Sequence, residues 1–148
     1  MKLNLIVLVV MAFAVISCNK KTETPQPETV NEEMVDMHTS EIALDWDGTY
    51  SGTLPCADCE GIKTELTLNS DKTFELTHEY LGKRDVAVDT LRGNFSWAAD
   101  GNNIELEGLK PGEASPFYKV EENRIRHLDM EGNPITGPLA ENYVLSKK

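Results

Sequence analysis

The chain has 148 residues and a formal net charge of −11, from 25 acidic and 14 basic residues. Such a charge is repelled by nucleic acid and by anionic surfaces, so nucleic acid is not an expected partner. The length suffices for one folded domain with its own core, expected to be a monomer. Because the sequence contains no G-x-S-x-G, no H-E-x-x-H and no glycine-rich phosphate loop, it gives no support to an enzymatic function.

The first 17 residues are typical of an export signal. Lys2 precedes an apolar stretch without charges, residues 3–16, which is too short to span a bilayer permanently. The segment Val15-Ile16-Ser17-Cys18 resembles the lipobox of bacterial lipoproteins, in which cleavage falls just before the cysteine. The resemblance implies that residues 1–17 are removed and that Cys18 carries the lipid that attaches the protein to a membrane.

The residues after Cys18 indicate the membrane to which the lipoprotein is sorted. Asn19 follows, whereas an Asp at this position favours retention in the inner membrane in Gram-negative sorting, so the resemblance implies the outer membrane. Lys20 and Lys21 come next instead of an acidic cluster, which favours the periplasmic face. Removal of the leader leaves 13 basic and 25 acidic residues, a formal charge of −12.

Residues 18–41 are predicted to be the lipidated cysteine and a flexible tether. The segment is rich in Thr, Pro and Glu and has no aromatic residue, and Pro25-Gln26-Pro27 prevents a helix from starting. Such a composition cannot bury enough apolar surface to order itself. A flexible chain of this length reaches roughly 25–30 Å.

Residues 42–148 are predicted to form an all-β domain, because apolar and polar residues alternate on either side of polar turns. The clearest hairpin turns at Asn69-Ser70-Asp71-Lys72. The predicted strands are 49–54, 62–68, 74–80, 91–97, 104–106, 117–120, 125–128 and 143–145. About eight sequential strands with one apolar face predict a small antiparallel meander that closes into a β-barrel. Barrels of this size are filled by side chains or hold one small ligand.

One face of the third predicted strand is the candidate ligand pocket, formed by Phe74, Leu76, His78 and Tyr80. His78 on this apolar face is either a pocket residue or a hydrogen-bonded histidine of the core. The two tryptophans, Trp46 and Trp97, are predicted to plug the core. His127, beside Arg126, is predicted to lie on the surface.

The most specific motif is Leu54-Pro55-Cys56-Ala57-Asp58-Cys59-Glu60-Gly61. An alternating strand, an Asp-Lys turn and Tyr80-Leu81-Gly82 follow it. Together they resemble the N-terminal domain of NlpE-type copper-resistance lipoproteins, over about residues 46–145. The resemblance implies a lipocalin-like barrel on an outer-membrane lipoprotein, with a role in copper tolerance or in activating an envelope-stress pathway through a signalling partner. The best-known type also carries a second, smaller C-terminal barrel, which the resemblance does not cover.

Cys56 and Cys59 remain as an even pair once Cys18 is lipidated. A static disulfide is the favoured interpretation in an oxidising compartment. A redox-active pair is disfavoured because Asp58 and Glu60 raise thiol pKa values. A copper site is the remaining alternative, since two thiolates suit a soft ion, but it requires the reduced form.

A second candidate copper site lies in the predicted tether, formed by Met34, Met37 and His38. Thioether and imidazole ligands bind copper in compartments where thiols are oxidised. Two further functions stay open for the domain: binding of a small apolar ligand inside the barrel, and an interaction or inhibitor module that uses the loops Gly108–Pro116 and Gly132–Pro138.

Overall fold

The computed structural model describes residues 38–84, 88–110 and 114–148. They contain a closed antiparallel barrel in which each strand pairs with its neighbours in the chain, and the last strand pairs with the first. The strands are β1 Gly48–Leu54, β2 Gly61–Leu68, β3 Thr73–Leu81, β4 Val88–Trp97, β5 Asn103–Leu106, β6 Phe117–Glu121, β7 Arg124–His127 and β8 Val144–Lys147. The predicted fold, an all-β meander barrel of about eight strands, is confirmed. The predicted leader, Cys18, Met34 and Met37 lie outside the described residues.

Short polar turns set the register of the hairpins. Between β2 and β3, Lys72 adopts a left-handed backbone angle of φ 65°, and the Asp71 carboxylate accepts hydrogen bonds from the amide and hydroxyl of Thr73 at 3.0 and 2.6 Å. Between β6 and β7, the left-handed residue is Asn123. Asn tolerates this conformation better than most residues, which suits the tight turn between β6 and β7.

Alternate residues of each strand point into the barrel and form one core. The fully buried side chains include Tyr50, Leu66, Leu68, Phe74, Ile104, Leu106, Tyr118, Val120, Ile125 and Leu145. Burial of this apolar surface is the main stabilising contribution to the fold.

Aromatic side chains and a short helix close one end of the barrel. The ring of Trp46 meets those of Phe95 and Trp97 edge to face, with centroids 5.7 and 5.5 Å away. The Trp46 indole donates a hydrogen bond to the carbonyl oxygen of Glu41 at 3.1 Å, and the Tyr50 hydroxyl donates to the carbonyl oxygen of Trp46 at 2.6 Å. We call this the closed end.

The helix α1, Ser40–Ala43, belongs to this closed end. Ser40 is buried; its amide donates to the Asn102 side-chain oxygen at 2.8 Å, and its hydroxyl donates to the carbonyl oxygen of Val120 at 2.8 Å. Ordered contacts with the barrel thus begin ahead of Ile42, where the composition of the sequence changes. Among the described residues, no helix is long and apolar enough to cross a membrane.

Candidate functional site

The end of the barrel opposite α1, which we call the open end, contains a cavity of about 450 Å³. The connections between strands are longer here than at the closed end and comprise residues 55–60, 82–87, 107–116 and 128–143, of which the structure does not describe 85–87 and 111–113. The cavity lies within the size range of sites that bind one small molecule. Its walls are formed by Ile62, Leu76, His78, Tyr80, Asp89, Leu91, Gly108, Leu109, Lys110 and Ala114.

The register of β2, β3 and β4 arranges the wall in layers. Leu66, Leu76 and Leu91 are directly paired, and Leu76 and Leu91 form an apolar floor of the cavity. The next layer towards the opening is Thr64, His78 and Asp89, and Tyr80 follows at the rim beside Ile62. The cavity therefore changes from apolar to polar with distance from the core.

Three of the four residues predicted for the ligand pocket, Leu76, His78 and Tyr80, line this cavity. Phe74 does not, because it lies one layer below the floor and is only 2% exposed. Its ring occupies the space above Gly93, where a Cβ atom would approach the ring to 3.0 Å. The absence of a side chain at Gly93 thus leaves room for the Phe74 ring inside the barrel.

The environment of His78 favours the neutral imidazole. Burial lowers the pKa of His78, and the charge of His127 lowers it further, whereas the Asp89 carboxylate raises it. Burial dominates because an imidazolium loses its hydration inside the barrel. At neutral pH the ring is consequently a hydrogen-bonding group of the cavity wall.

The prediction that His127 lies on the surface is wrong. Its ring packs between Tyr118 and Tyr143, with centroids 4.8 and 6.4 Å away, and its Nε2 lies 3.0 Å from the carbonyl oxygen of Ser115. Burial lowers the pKa of His127. Strand periodicity contained the signal, since His127 lies two residues after the buried Ile125 and shares its inward direction.

A disulfide joins Cys56 and Cys59 in the loop between β1 and β2, at the rim of the open end. Asp58, between them, forms an ion pair with Lys83 at 3.2 Å, and the Lys83 ammonium lies 5.5 Å from the centroid of the Tyr80 ring. The disulfide loop is thereby connected to the rim of the cavity.

The two sulfur atoms and an oxygen of Asp58 all lie within 4.8 Å of one another. The set fits a soft metal ion only after reduction, because a disulfide offers no thiolate. Of the second candidate copper set, the structure describes only His38, which is exposed and precedes α1. Of the loops proposed for a protein partner, Gly108–Pro116 borders the cavity at the open end, apart from residues 111–113, which the structure does not describe. In Gly132–Pro138, Gly132 and Pro134 instead line a second pocket with Asp100 and Asn102.

Comparison with known proteins identifies the family. Residues 50–138 match the model of the NlpE N-terminal domain. Lipoprotein NlpE of Escherichia coli strain K12 is 33% identical over 138 residues, which cover 93% of this chain and 52% of that protein. A 17 kDa lipoprotein of Treponema pallidum is 32% identical over 108 residues, 68% of this chain and 69% of that protein. The chain spans about half the length of its E. coli relative.

Two solved structures are also similar to this chain. A lipoprotein from Shewanella oneidensis, solved at 1.42 Å, superimposes with a TM-score of 0.67 at 50% identity, over 75% of this chain and 96% of that chain. The E. coli Cpx pathway activator NlpE superimposes with a TM-score of 0.50 at 36% identity, over 61% of this chain and 46% of that chain. The barrel with its Cys56–Cys59 loop therefore identifies the chain as a member of the NlpE family, through the N-terminal domain of that family.

Proposed function

We propose that this chain is a lipid-anchored lipoprotein of the outer membrane that senses envelope stress and activates a signalling partner. The supporting observation is its similarity to E. coli NlpE, a Cpx pathway activator, which extends over 93% of the chain. In this proposal residues 1–17 are cleaved, Cys18 carries the lipid, the residues between Cys18 and α1 form the tether, and α1 and the barrel form the domain on the periplasmic side.

The anchor supplies a simple sensing mechanism. While sorting works, the lipid holds the barrel at the outer membrane and away from a partner in the inner membrane. When sorting fails, the lipid leaves the barrel in the inner membrane and raises its effective concentration near that partner. A failure of lipoprotein transport is thereby reported without any change in the barrel.

A reporter assay tests this mechanism. The chain is expressed in E. coli that lacks its own NlpE and carries a Cpx-responsive reporter, with protein levels equalised by immunoblot. We expect the wild type to raise reporter output, Asn19→Asp to raise it further because the lipoprotein is retained in the inner membrane, and Cys18→Ser to lose the effect. Equal output from Asn19→Asp and Cys18→Ser would contradict the proposal.

Copper tolerance is proposed to act through one of the two candidate sets. The described cluster of Cys56, Asp58 and Cys59 supports the first, which requires reduction. Met34, Met37 and His38 are the alternative for the oxidised protein, since neither thioether nor imidazole depends on a free thiol.

The cavity supports a second candidate function, the binding of a small apolar ligand. The observation that supports this function is the apolar floor of the cavity, which has a volume of about 450 Å³. Native mass spectrometry of purified protein tests it by detecting co-purifying lipid. Leu91→Trp fills the cavity and should remove the bound mass, whereas Thr90→Trp, on the opposite face of the same strand, should retain it. Retention of the same mass in Leu91→Trp would exclude the cavity as the site.

A further inference from the structure

One charged group of the cavity wall, the carboxylate of Asp89, has no ion pair or hydrogen bond in the part of the chain that the structure describes. It belongs to the inward-facing series of β4 that continues with Leu91 and Gly93, and it lies directly across from His78. On the outer face of β3, by contrast, Glu75 pairs with Arg92 at 2.7 Å and Glu79 pairs with Lys63 at 3.0 Å. Asp89 is thus distinguished from its neighbours by its place in the cavity.

The surrounding groups leave this negative charge uncompensated. The environment of His78 favours the neutral ring, so His78 supplies no cation at neutral pH. Lys83 is engaged by Asp58 and by the face of Tyr80. Lys110 also lines the cavity but has interactions of its own. The net charge of −11 adds a long-range attraction for cations.

Below this carboxylate the cavity is apolar. Leu76 and Leu91 form the floor, and Leu109 adds a further apolar side chain to the wall. A molecule that complements both regions has an apolar chain at one end and a positively charged group at the other. A fatty acid would place a second carboxylate next to Asp89, and an uncharged alkane would leave the polar layer without a partner.

We propose that the cavity binds cationic amphiphiles, with an ammonium head group against Asp89 and the apolar chain on Leu76 and Leu91. The proposal rests on the second function above, ligand binding in the barrel, and adds the chemical class of the ligand.

The test compares three ten-carbon probes whose head groups differ in charge: decylamine, decanol and decanoate, each below its micellar concentration. Binding to oxidised Cys18→Ser protein is measured by displacement of the uncharged probe N-phenyl-1-naphthylamine at pH 7.5. We expect decylamine to bind about fivefold more tightly than decanol, the effect of a partly exposed charge pair, and decanoate to bind more weakly than both. The advantage of the amine should shrink as salt is added.

Two variants assign the preference to a residue. Asp89→Asn should bring decylamine to the affinity of decanol while decanol binding stays unchanged. Glu105→Gln removes the same charge from the outer face of β5 and should keep the preference. Decanoate binding as tightly as decylamine, or a preference that survives Asp89→Asn, would overturn the cationic class while decanol binding still supports the cavity function. Failure of all three probes would overturn both.

Discussion

His127 and Ser115 join strand β7 to the loop between β5 and β6, since the imidazole Nε2 lies 3.0 Å from the Ser115 carbonyl oxygen. The Ser115 hydroxyl donates in turn to the carbonyl oxygen of Asp129 at 2.7 Å. The other ring nitrogen of His127, Nδ1, is buried and has no hydrogen-bond partner among the residues that the structure describes. Protonation at that atom would place a charged donor in the core without an acceptor.

The stability of the barrel should therefore fall below about pH 6.5, the ordinary pKa of histidine. Burial lowers the pKa values of both His78 and His127 in the folded state, so the unfolded chain binds protons first as the pH decreases. Each histidine contributes a slope of up to about 1.4 kcal/mol per pH unit between its unfolded and folded pKa. Urea unfolding between pH 7.5 and 5.0 measures this loss.

A variant of His127 tests whether this residue causes the loss of stability at low pH. His127→Gln keeps a donor for Ser115 and removes the titrating group, so the free energy of unfolding should depend less on pH. Ser96→Ala on the exposed face of β4, which removes no titratable group, is the control and should keep the pH dependence of the wild type. Identical slopes for His127→Gln and wild type would show that His127 does not cause the loss.

Loss of the disulfide should cost about 2 kcal/mol, because a bond that closes a loop of only four residues restricts the unfolded chain little. We expect Cys56→Ser/Cys59→Ser to keep the circular dichroism spectrum of the barrel while its free energy of unfolding falls by that amount. The wild type treated with dithiothreitol is the matched control and should unfold at the same urea concentration. An unfolded double variant would mean that the disulfide is required for the fold.

Ser40→Ala should destabilise the barrel although the residue precedes every strand. The substitution removes the buried hydroxyl that donates to the carbonyl oxygen of Val120, and leaving such an acceptor unpaired costs about 1–3 kcal/mol. Urea unfolding compares it with Ser96→Ala on the exposed face of β4, which should change stability by less than about 0.5 kcal/mol. Equal stability of both variants would show that α1 does not contribute to the domain.

Copper binding should depend on the redox state if the cysteines are the ligands. Calorimetry with Cu(I) on Cys18→Ser protein should then show binding after reduction and none by the oxidised protein. Binding that persists after oxidation and disappears in Met34→Leu/Met37→Leu/His38→Ala would assign copper to the tether instead. Absence of binding in both states would contradict direct copper binding by either set.

The barrel was predictable because its signal is local. Alternation along residues 62–80 identifies the first hairpin and its inward face, and the Asp71 and Lys72 turn identifies its end. Thr64 follows the same rule: it is fully buried despite its hydroxyl, which donates to the carbonyl oxygen of Ile62 at 3.1 Å. Period-two patterning therefore identified inward positions whatever the side chain.

The composition of the cavity was less predictable because it depends on residues from separate strands. Asp89 reads in the sequence as one more acidic residue, and only its pairing with His78 places it in the wall. Phe74 belongs to the same predicted face but lies outside the lining, because its pairing with Gly93 places it one layer below the floor. The inward position of His127 was predictable in principle from Ile125, but the neighbouring Arg126 suggested the surface.

The two ends of the described chain and the cavity lie at opposite ends of the barrel. The chain enters through α1 at the closed end, and it leaves there too, since the Lys148 amide donates to the carbonyl oxygen of Thr49 at 2.9 Å. The cavity and the Cys56–Cys59 loop lie at the opposite end of β3, whose nine residues span roughly 30 Å. The described chain therefore begins and ends at the closed end, so that neither terminus of the described domain borders the mouth of the cavity.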